Sequence, residues 1–221
     1  MNKKSEITPE DATEIVSQFP SNVRNVSHSV VATENDKNIF LAPLEKTKVF
    51  PEGIVEYFKK KFGDKVIDSR VEKRKIGVKK NEQKMVWFRV ERSVFKDAVK
   101  HLCGLQFPHL SVVSGNDVGE NIELIYHFTV NYGEHLKEIP VNISVEVPKN
   151  DLRIPTICDI IPGALITERE KQEMLGVKVE NIPDSRRIFL PDDFPDGVYP
   201  WRKDEKGIPE KMVKKLWEEK K

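Results

Sequence analysis

Three strand-like segments joined by short connections restrict the possible folds of this chain more than any other feature. They cover residues 109–114, 122–130 and 141–147. The last of them alternates apolar and polar residues, which is typical of a strand with one buried face. The connections are shorter than the crossover of about a dozen residues that a parallel pair needs. The three segments therefore predict antiparallel neighbours in one sheet.

A helix and a hairpin are predicted before these strands. Pro51 suits the first turn of a helix, and Gly63 lies where a helix end favours glycine. The segments 66–78 and 85–90 are strand-like and are separated by the polar turn 79–82. We therefore expect a helix that ends at Gly63 and is followed by two paired strands.

A second helix is predicted between the hairpin and the three strands. Ser93 suits its N-cap, apolar residues recur on one side through Cys103, and Gly104 suits its end. The order helix, two strands, helix, three strands predicts an α+β fold for residues 51–150. In this fold a mixed, mainly antiparallel sheet carries its helices on one face. Residues 1–50 are predicted to be an N-terminal extension with one helix and irregular segments.

The pattern changes after Pro148. A helix bent near Pro162 is predicted over residues 157–175, with Gly176 at its end. Beyond it, five prolines are interleaved with aromatic residues, and such a segment cannot form a regular domain of its own. Residues 151–221 are therefore predicted to be a helix followed by an extended, proline-rich arm that lies on another surface.

Charge and cysteine content argue against several classes of protein. The 37 basic and 36 acidic residues nearly cancel, so no overall field marks a nucleic-acid-binding protein. Cys103 and Cys158 are the two thiols, whereas an iron–sulfur cluster needs about four ligands. The sequence shows no metal-binding histidine spacing, no glycine-rich phosphate loop and no apolar run of about 18 residues. We expect no catalytic residue, cofactor site, metal site, secretory signal or membrane span.

One segment departs from this balance of charge. Residues 59–84 contain 11 basic and four acidic residues. Such a run is usually the solvated face of a helix and a hairpin, but it also suits an anionic lipid surface, an RNA or an acidic protein partner. The aromatic residues that single-strand binders use for stacking are sparse here. Both interpretations stay open at this point.

The most informative segment begins at Glu168 and ends at Phe194. It opens with a cluster of charged residues that could form only weak surface pairs, each contributing less than about 1 kcal/mol. Further on, Asp184 precedes the adjacent Arg186 and Arg187, which come before an apolar, proline-bounded run. Arginine side chains suit two-point contacts with carboxylates at interfaces. The chemistry alone therefore predicts an interface with charged pairs and an arm.

This segment also resembles the signature of a known family, the 30 kDa subunit of respiratory complex I (the C-type subunit of NADH:quinone oxidoreductase). The positions that fall into register are Glu168, Arg169, Glu170, Glu173, Met174, Leu175, Gly176, Pro183, Asp184, Arg186, Arg187, Leu190 and Pro191. The continuation through residues 194–213 is similar to the corresponding subunit of archaeal membrane-bound hydrogenases and membrane-bound sulfane sulfur reductases. Ile182 is a departure, because the complex I pattern has a basic residue there.

The resemblance implies a non-catalytic subunit in the peripheral arm of a ferredoxin-linked, ion-translocating complex at the cytoplasmic face of the membrane. Its partners would be a large hydrogenase-like subunit (the D-type subunit of complex I), a small cluster-bearing subunit (the B-type subunit), and the other subunits of the complex. The iron–sulfur clusters are expected in those partners. The residues expected to dock are Glu168, Arg169, Glu170, Glu173, Asp184, Arg186, Arg187, Phe189, Phe194, Tyr199 and Trp201.

Three alternatives to this function are open. The first is the equivalent subunit of a quinone-reducing complex I, against which Ile182 argues. The second is a nucleic-acid-binding module that uses the basic segment 59–84. The third is an independent enzyme that uses Cys103 or Cys158, for which the sequence shows no partner base.

Overall fold

The computed structural model describes residues 49–134 and 136–213, so the predicted extension, with its helix, lies almost wholly outside the described residues. The helices are α1 (Pro51–Phe62), α2 (Phe95–Leu105) and α3 (Ala164–Leu175). The strands are β1 (Val66–Ile76), β2 (Asn81–Val90), β3 (His109–Asp117), β4 (Asn121–Val130), β5 (Ile139–Pro148), β6 (Arg153–Pro155) and β7 (Lys178–Glu180).

Five of the strands form a mixed sheet in the order β1-β2-β5-β4-β3. The neighbours β1 and β2, β3 and β4, and β4 and β5 are antiparallel, as their short connections require. β2 and β5 are parallel, and residues Val86–Val90 pair with Val141–Val145. The predicted α+β class with a mixed, mainly antiparallel sheet is confirmed.

All three helices pack on one face of this sheet. The ring of Phe58 on α1 stacks on Phe88 of β2 at 4.3 Å between centroids. The ring of Phe95 on α2 lies 4.6 Å from that of Tyr126 on β4, which α3 also contacts. β4 and β5 supply the centre of the core, because their alternate residues on this face are buried. The prediction of helices on one face is confirmed.

The opposite face of the sheet carries a polar network. The side chain of His127 on β4 contacts Ser114 on β3 through Nε2 and Asn142 on β5 through Nδ1, the latter at 2.6 Å. Arg89 on β2 lies on the same face and forms ion pairs with Glu123 and Glu146. These contacts link four neighbouring strands, so His127 is a bonded structural residue.

Two predicted details of α2 are wrong. Ser93 does not cap it, because its hydroxyl donates to Glu91 at 2.9 Å and a short 3-10 turn over Arg92–Val94 precedes the helix. Gly104 does not end it either, since the helix runs through Leu105 and the N–H of Gln106 still bonds to the carbonyl of Leu102.

The long bent helix predicted over 157–175 is also wrong in its first part. Residues before Gly163 form turns, in which the carbonyl of Ile157 accepts from Ile160 and Ile161. Pro162 has no N–H to continue a helical ladder, so α3 begins only at Ala164. It ends where expected, with Gly176 in the left-handed conformation at φ +75°.

Two short strands have no counterpart among the predicted elements. β6 and β7 flank the turns and α3, and they pair in parallel with Ile154 opposite Val179. Both of these side chains are buried. Three-residue strands are too short to show a periodicity in the sequence, so only the tertiary packing defines them. Among the described residues, no helix combines the length and apolarity needed to cross a membrane.

Candidate docking site

Glu168 lies inside the fold, although it opens the most charged stretch of the sequence. It sits one turn into α3 and is 1% exposed. Its carboxylate accepts from the hydroxyl of Thr156 at 2.6 Å, the N–H of Ile157 at 3.1 Å and the hydroxyl of Tyr126 at 3.3 Å. Burial raises the pKa of Glu168, against the opposing effect of these donors. Glu168 therefore braces α3 against β4 and the turns that precede it.

Arg169 holds the start of the arm, which we define as residues 181–213. Its side chain is 10% exposed and forms an ion pair with Asp184 at 3.0 Å. The same guanidinium donates to the carbonyl of Arg186, at 2.7 Å from Nε, and to that of Arg187 at 3.2 Å. A planar group with several fixed donors can bind such a set of oxygens at once. Arg169 thus fixes a turn of this chain's own backbone.

Glu173 holds the next three residues of the arm. Its carboxylate accepts from the N–H groups of Ile188, of Phe189 at 2.9 Å and of Leu190 at 3.0 Å. Consecutive N–H groups that converge on one anion form a concave binding site for it. Residues 169 and 173 are four apart on α3 and therefore lie on the same face. We call Arg169 and Glu173 the clamp, because together they bind the arm to α3.

The arm crosses the end of α3 a second time. A Cβ added to Gly176 would lie 2.7 Å from the ring of Tyr199, so this glycine permits the close approach. The N–H of Trp201 donates to the carbonyl of Met174 at 2.9 Å. The ammonium of Lys171 lies 4.5 Å from the centre of the Trp201 ring, in a cation–π contact. Burial lowers the pKa of Lys171.

A cluster of ion pairs anchors the arm to the ends of β3 and β5. Lys149 bridges Asp117 at 2.9 Å and Asp204 at 2.6 Å, and Arg202 contacts both carboxylates. The side chain of Arg202 is 3% exposed. The Arg202 guanidinium holds the pKa of Asp204 well below its usual range, with a further contribution from Lys149. No local pattern in the sequence marks this cluster, because its members come from distant parts of the chain.

Burial disfavours the thiolate form of both cysteines. Burial raises the pKa of Cys103 to about 11 and that of Cys158 to about 11. Thiolates, rather than thiols, bind metals and attack electrophiles, so this burial argues against a reactive role for either cysteine. In residues 49–134 and 136–213, no three side chains of His, Cys, Asp or Glu are grouped in a way that could hold a metal ion.

The residues predicted to dock thus divide into two groups. The first lies within the chain's own contacts and comprises Glu168, Arg169, Glu173, Asp184 and Arg187. Glu170 joins it, because it contacts the buried ammonium of Lys171. Phe194 and Tyr199 are half-buried, and Tyr199 packs on Gly176. The second group is exposed and comprises Arg186, Phe189 and Trp201.

An apolar groove lies beside the clamp. Phe189 of the arm, Ile166 of α3 and Val112 of the edge strand β3 line it, and they are 55%, 53% and 43% exposed. The groove has a volume of about 280 Å³, and its polar lining residues are Ser111, Thr167 and Glu170. Sequence reasoning included Phe189 but missed Ile166 and Val112, because single apolar residues on exposed faces carry no pattern of their own.

Comparison with known proteins places these features in a family. The family model of the respiratory-chain NADH dehydrogenase 30 kDa subunit matches residues 88–211, which include β3 to β7, the end of β2, the clamp and most of the arm. The chain is 39% identical to the beta subunit of the membrane-bound hydrogenase of Pyrococcus furiosus, over 67% of this chain and 87% of that protein.

Two further relatives extend the comparison. The chain is 35% identical to formate hydrogenlyase subunit 5 of Escherichia coli, over 52% of this chain but 20% of that protein. A structure of the membrane-bound sulfane sulfur reductase, an archaeal respiratory membrane complex, matches 67% of this chain and 81% of its own chain at 25% identity and a TM-score of 0.52. The chain therefore belongs to the family of the 30 kDa subunit of the respiratory-chain NADH dehydrogenase.

Proposed function

We propose that this protein is a structural subunit, with no redox centre of its own, of a ferredoxin-linked, ion-translocating membrane-bound hydrogenase or sulfur reductase complex. In this complex it docks on the large hydrogenase-like subunit, close to the cluster-bearing small subunit, at the cytoplasmic face. The observation that carries the proposal is the clamp: the residues of the family signature hold the arm against α3. In this proposal the role of the signature is to shape a surface for a partner subunit.

The surface shaped in this way is the apolar groove. The clamp fixes Phe189 by its backbone N–H, so its side chain stands out from the arm beside Ile166. Exposed apolar side chains in a preformed groove, next to the highly exposed Arg186, are typical of the centre and rim of a protein interface. A preformed surface also lowers the entropy cost of association. We assign this groove to the contact with the large subunit.

The length of one relative supports a permanent association. In formate hydrogenlyase subunit 5 the region similar to this chain makes up only 20% of the protein. There the similar region is covalently joined to a much longer sequence, which keeps the two parts at high effective concentration. In this chain the corresponding neighbour would be a separate subunit, and the groove would replace the covalent link.

The ferredoxin-linked assignment is favoured over quinone reduction by Ile182. This residue replaces a basic residue of the complex I pattern and is partly buried against the hydrophobic core. An alkyl side chain held in this way offers no proton or hydrogen bond to a quinone. Mass spectrometry of the intact complex from native membranes tests the assignment, because the identities of the partner subunits define the reaction. A complex containing a quinone-reducing set of subunits would overturn it.

Docking is tested by purification of the complex through its large subunit. We expect Ile166→Asp with Phe189→Asp to abolish co-purification, because two carboxylates would be desolvated in the apolar contact. We expect Arg186→Ala to weaken co-purification with the large subunit without abolishing it. The matched control is Phe107→Asp, since Phe107 is also 55% exposed but lies before β3, outside the groove. Normal assembly of the groove variant on native gels would contradict the proposed contact.

A further inference from the structure

The β1–β2 hairpin extends beyond the rest of the sheet. Only Val86–Val90 of β2 pair with β5. From Lys73 opposite Lys84 to Ile76 opposite Asn81, the two strands have only each other in the hydrogen-bonded ladder. We call residues 73–84 the hairpin tip. It belongs to the strand pair farthest from β3, which lines the groove, and its base shares a pocket with the connection between β4 and β5.

The hairpin tip carries a strong positive charge. Residues 73–84 include six basic residues and one acidic residue, Glu82. Glu82 pairs with Lys73 at 3.7 Å, and Lys84 pairs with Glu52 of α1 at 2.7 Å. Four basic side chains of the tip have no ion pair with any described residue: Arg74, Lys75, Lys79 and Lys80. All four are exposed, so their field reaches the solvent.

The apex of the tip adds an apolar residue to this charge. Gly77 and Lys80 adopt positive φ angles of 67° and 51°, which closes the turn tightly. Between them Val78 stands out from the turn and is fully exposed. An apolar side chain exposed at such a position would be stabilised by transfer from water into an apolar environment. Val78 is therefore well placed to contact a surface that the apex of the turn approaches.

The composition of the tip distinguishes between possible partners. Three of its four unpaired cations are lysines, and lysine is depleted at specific protein–protein interfaces. Residues 73–84 contain no aromatic residue on which bases of a single-stranded nucleic acid could stack. Lysine-rich clusters with a small apolar group suit the headgroup layer of an anionic membrane, where each basic residue interacts with a diffuse field.

We propose that the hairpin tip binds the anionic lipid headgroups of a membrane surface, with Val78 inserted between them. This contact is separate from the groove and is a function of this chain itself. It would orient a subunit whose described helices do not cross the membrane. Four lysine or arginine side chains together give marginal, salt-sensitive attachment, which suits a contact that reinforces assembly with other subunits.

Flotation of the full-length chain with lipid vesicles tests this proposal. We expect the protein to float with vesicles of phosphatidylcholine and phosphatidylglycerol at low salt, and not with vesicles of phosphatidylcholine alone. Each basic residue near an anionic surface gives about a fivefold gain in partitioning. Lys79→Glu with Lys80→Glu should therefore lower it by about 25-fold or more. Val78→Asp should lower it by a smaller factor.

The matched control is Lys100→Glu with Lys178→Glu, which makes the same change of net charge at exposed positions of α2 and β7. We expect this variant to float almost as well as the unmodified chain. Equal losses in the two charge-reversed variants, or no flotation of the unmodified chain, would overturn the proposal. If the chain binds a single-stranded RNA through the tip more tightly than it binds the vesicles, the partner of the tip is a nucleic acid and not a lipid surface. Variants in the groove leave flotation unchanged, which separates this proposal from that of docking.

Discussion

The segment around α3 and the β1–β2 hairpin are both rich in charge, but the fold uses them in opposite ways. On α3, Glu168, Arg169 and Glu173 are buried as whole residues, and each binds groups of the same chain. In the hairpin tip most charges point into solvent without a partner among the described residues. Charge density in a sequence is therefore no measure of exposure.

The spacing of the charges accounts for the difference. Arg169 and Glu173 are four residues apart on one face of α3, where a neighbouring turn of backbone offers carbonyls to one and N–H groups to the other. In the tip, the cations of Arg74, Lys75, Lys79 and Lys80 have no ion pair with a described residue, and their side chains are exposed to water. A buried charge stays in place only when it is fully bonded, and the clamp meets this condition.

The strongest way to break this contrast is to remove the most buried charge. Glu168→Ala leaves the donors of Thr156, Ile157 and Tyr126 unbonded and opens a cavity. We expect the free energy of unfolding to fall by about 3–5 kcal/mol, measured by urea denaturation. The control Glu56→Ala removes an exposed carboxylate of α1 and should change it by less than about 0.5 kcal/mol. Equal effects of the two changes would show that Glu168 is not a brace.

A second test addresses the close approach of the arm to α3. Gly176→Ala strains a residue at φ +75° and drives a Cβ into the ring of Tyr199. Gly197→Ala strains a residue at φ +78° with open space around it. We expect losses of about 2–3 kcal/mol and about 1 kcal/mol in the free energy of unfolding, respectively, again by urea denaturation. Losses of the same size would mean that Tyr199 moves aside without cost.

The clamp itself is tested by its effect on the arm. Glu173→Ala removes the acceptor for the N–H groups of Phe189 and Leu190. We expect faster hydrogen exchange at these amides, by a factor of roughly 30, which corresponds to about 2 kcal/mol of local stability. The exchange of β4 amides serves as the internal reference. Unchanged protection in the arm would show that other contacts hold it.

Acid should loosen the arm before it unfolds the sheet. The pKa values of Asp184 and Asp204 lie well below their ordinary value of 3.8, because of Arg186 and Arg202 respectively. Below 3.8 the unfolded state binds more protons than the folded state, so the stability that these groups contribute above 3.8 is lost as the pH falls. Limited proteolysis between about pH 6 and pH 3 should show earlier cleavage in the arm. Asp204→Asn should reduce the dependence of arm cleavage on pH. If this variant is cleaved with the same pH dependence as the unmodified chain, the assignment to Asp204 is wrong.

The smallest effect is expected in the hairpin tip. Lys79→Ala with Lys80→Ala removes two exposed cations that have no ion pair with a described residue. We expect the free energy of unfolding to change by less than about 0.5 kcal/mol in urea denaturation. Combined with an unchanged melting temperature, this result would show that these lysines do not serve the fold. A loss of more than about 1 kcal/mol would mean that the tip has an internal structural role.

Most of the sheet could be predicted because its signals are local. The alternation in β5 and the short connections on either side of β4 are present in the sequence itself. The parallel pairing of β2 and β5 could not be predicted in the same way, because it joins segments far apart in the chain with no local mark. Ser93 is a good capping residue, but it predicts the wrong start for α2, because its hydroxyl donates a hydrogen bond to Glu91.

The candidate site could be located from the sequence, but its contacts could not. The family signature marks Glu168 to Phe194, and both clamp residues lie within it. Whether Arg169 and Glu173 face a partner or this chain depends on the path of the arm, which only the fold determines. The docking roles of the exposed residues Arg186, Phe189 and Trp201 stay predictions.

The parallel pair of β2 and β5 has a consequence for how the protein reaches its native state. β1 with β2, and β3 with β4 and β5, are two sets of strands that can each form through local contacts. Five residue pairs between Val86–Val90 and Val141–Val145 join the two sets. Pairing β2 with β5 closes the loop formed by the chain between Val90 and Val141. Closing so long a loop carries a large entropy cost, which makes this pairing step slow. We expect this seam to set the folding rate, and its two exposed strand edges to be the points most open to aggregation until it closes.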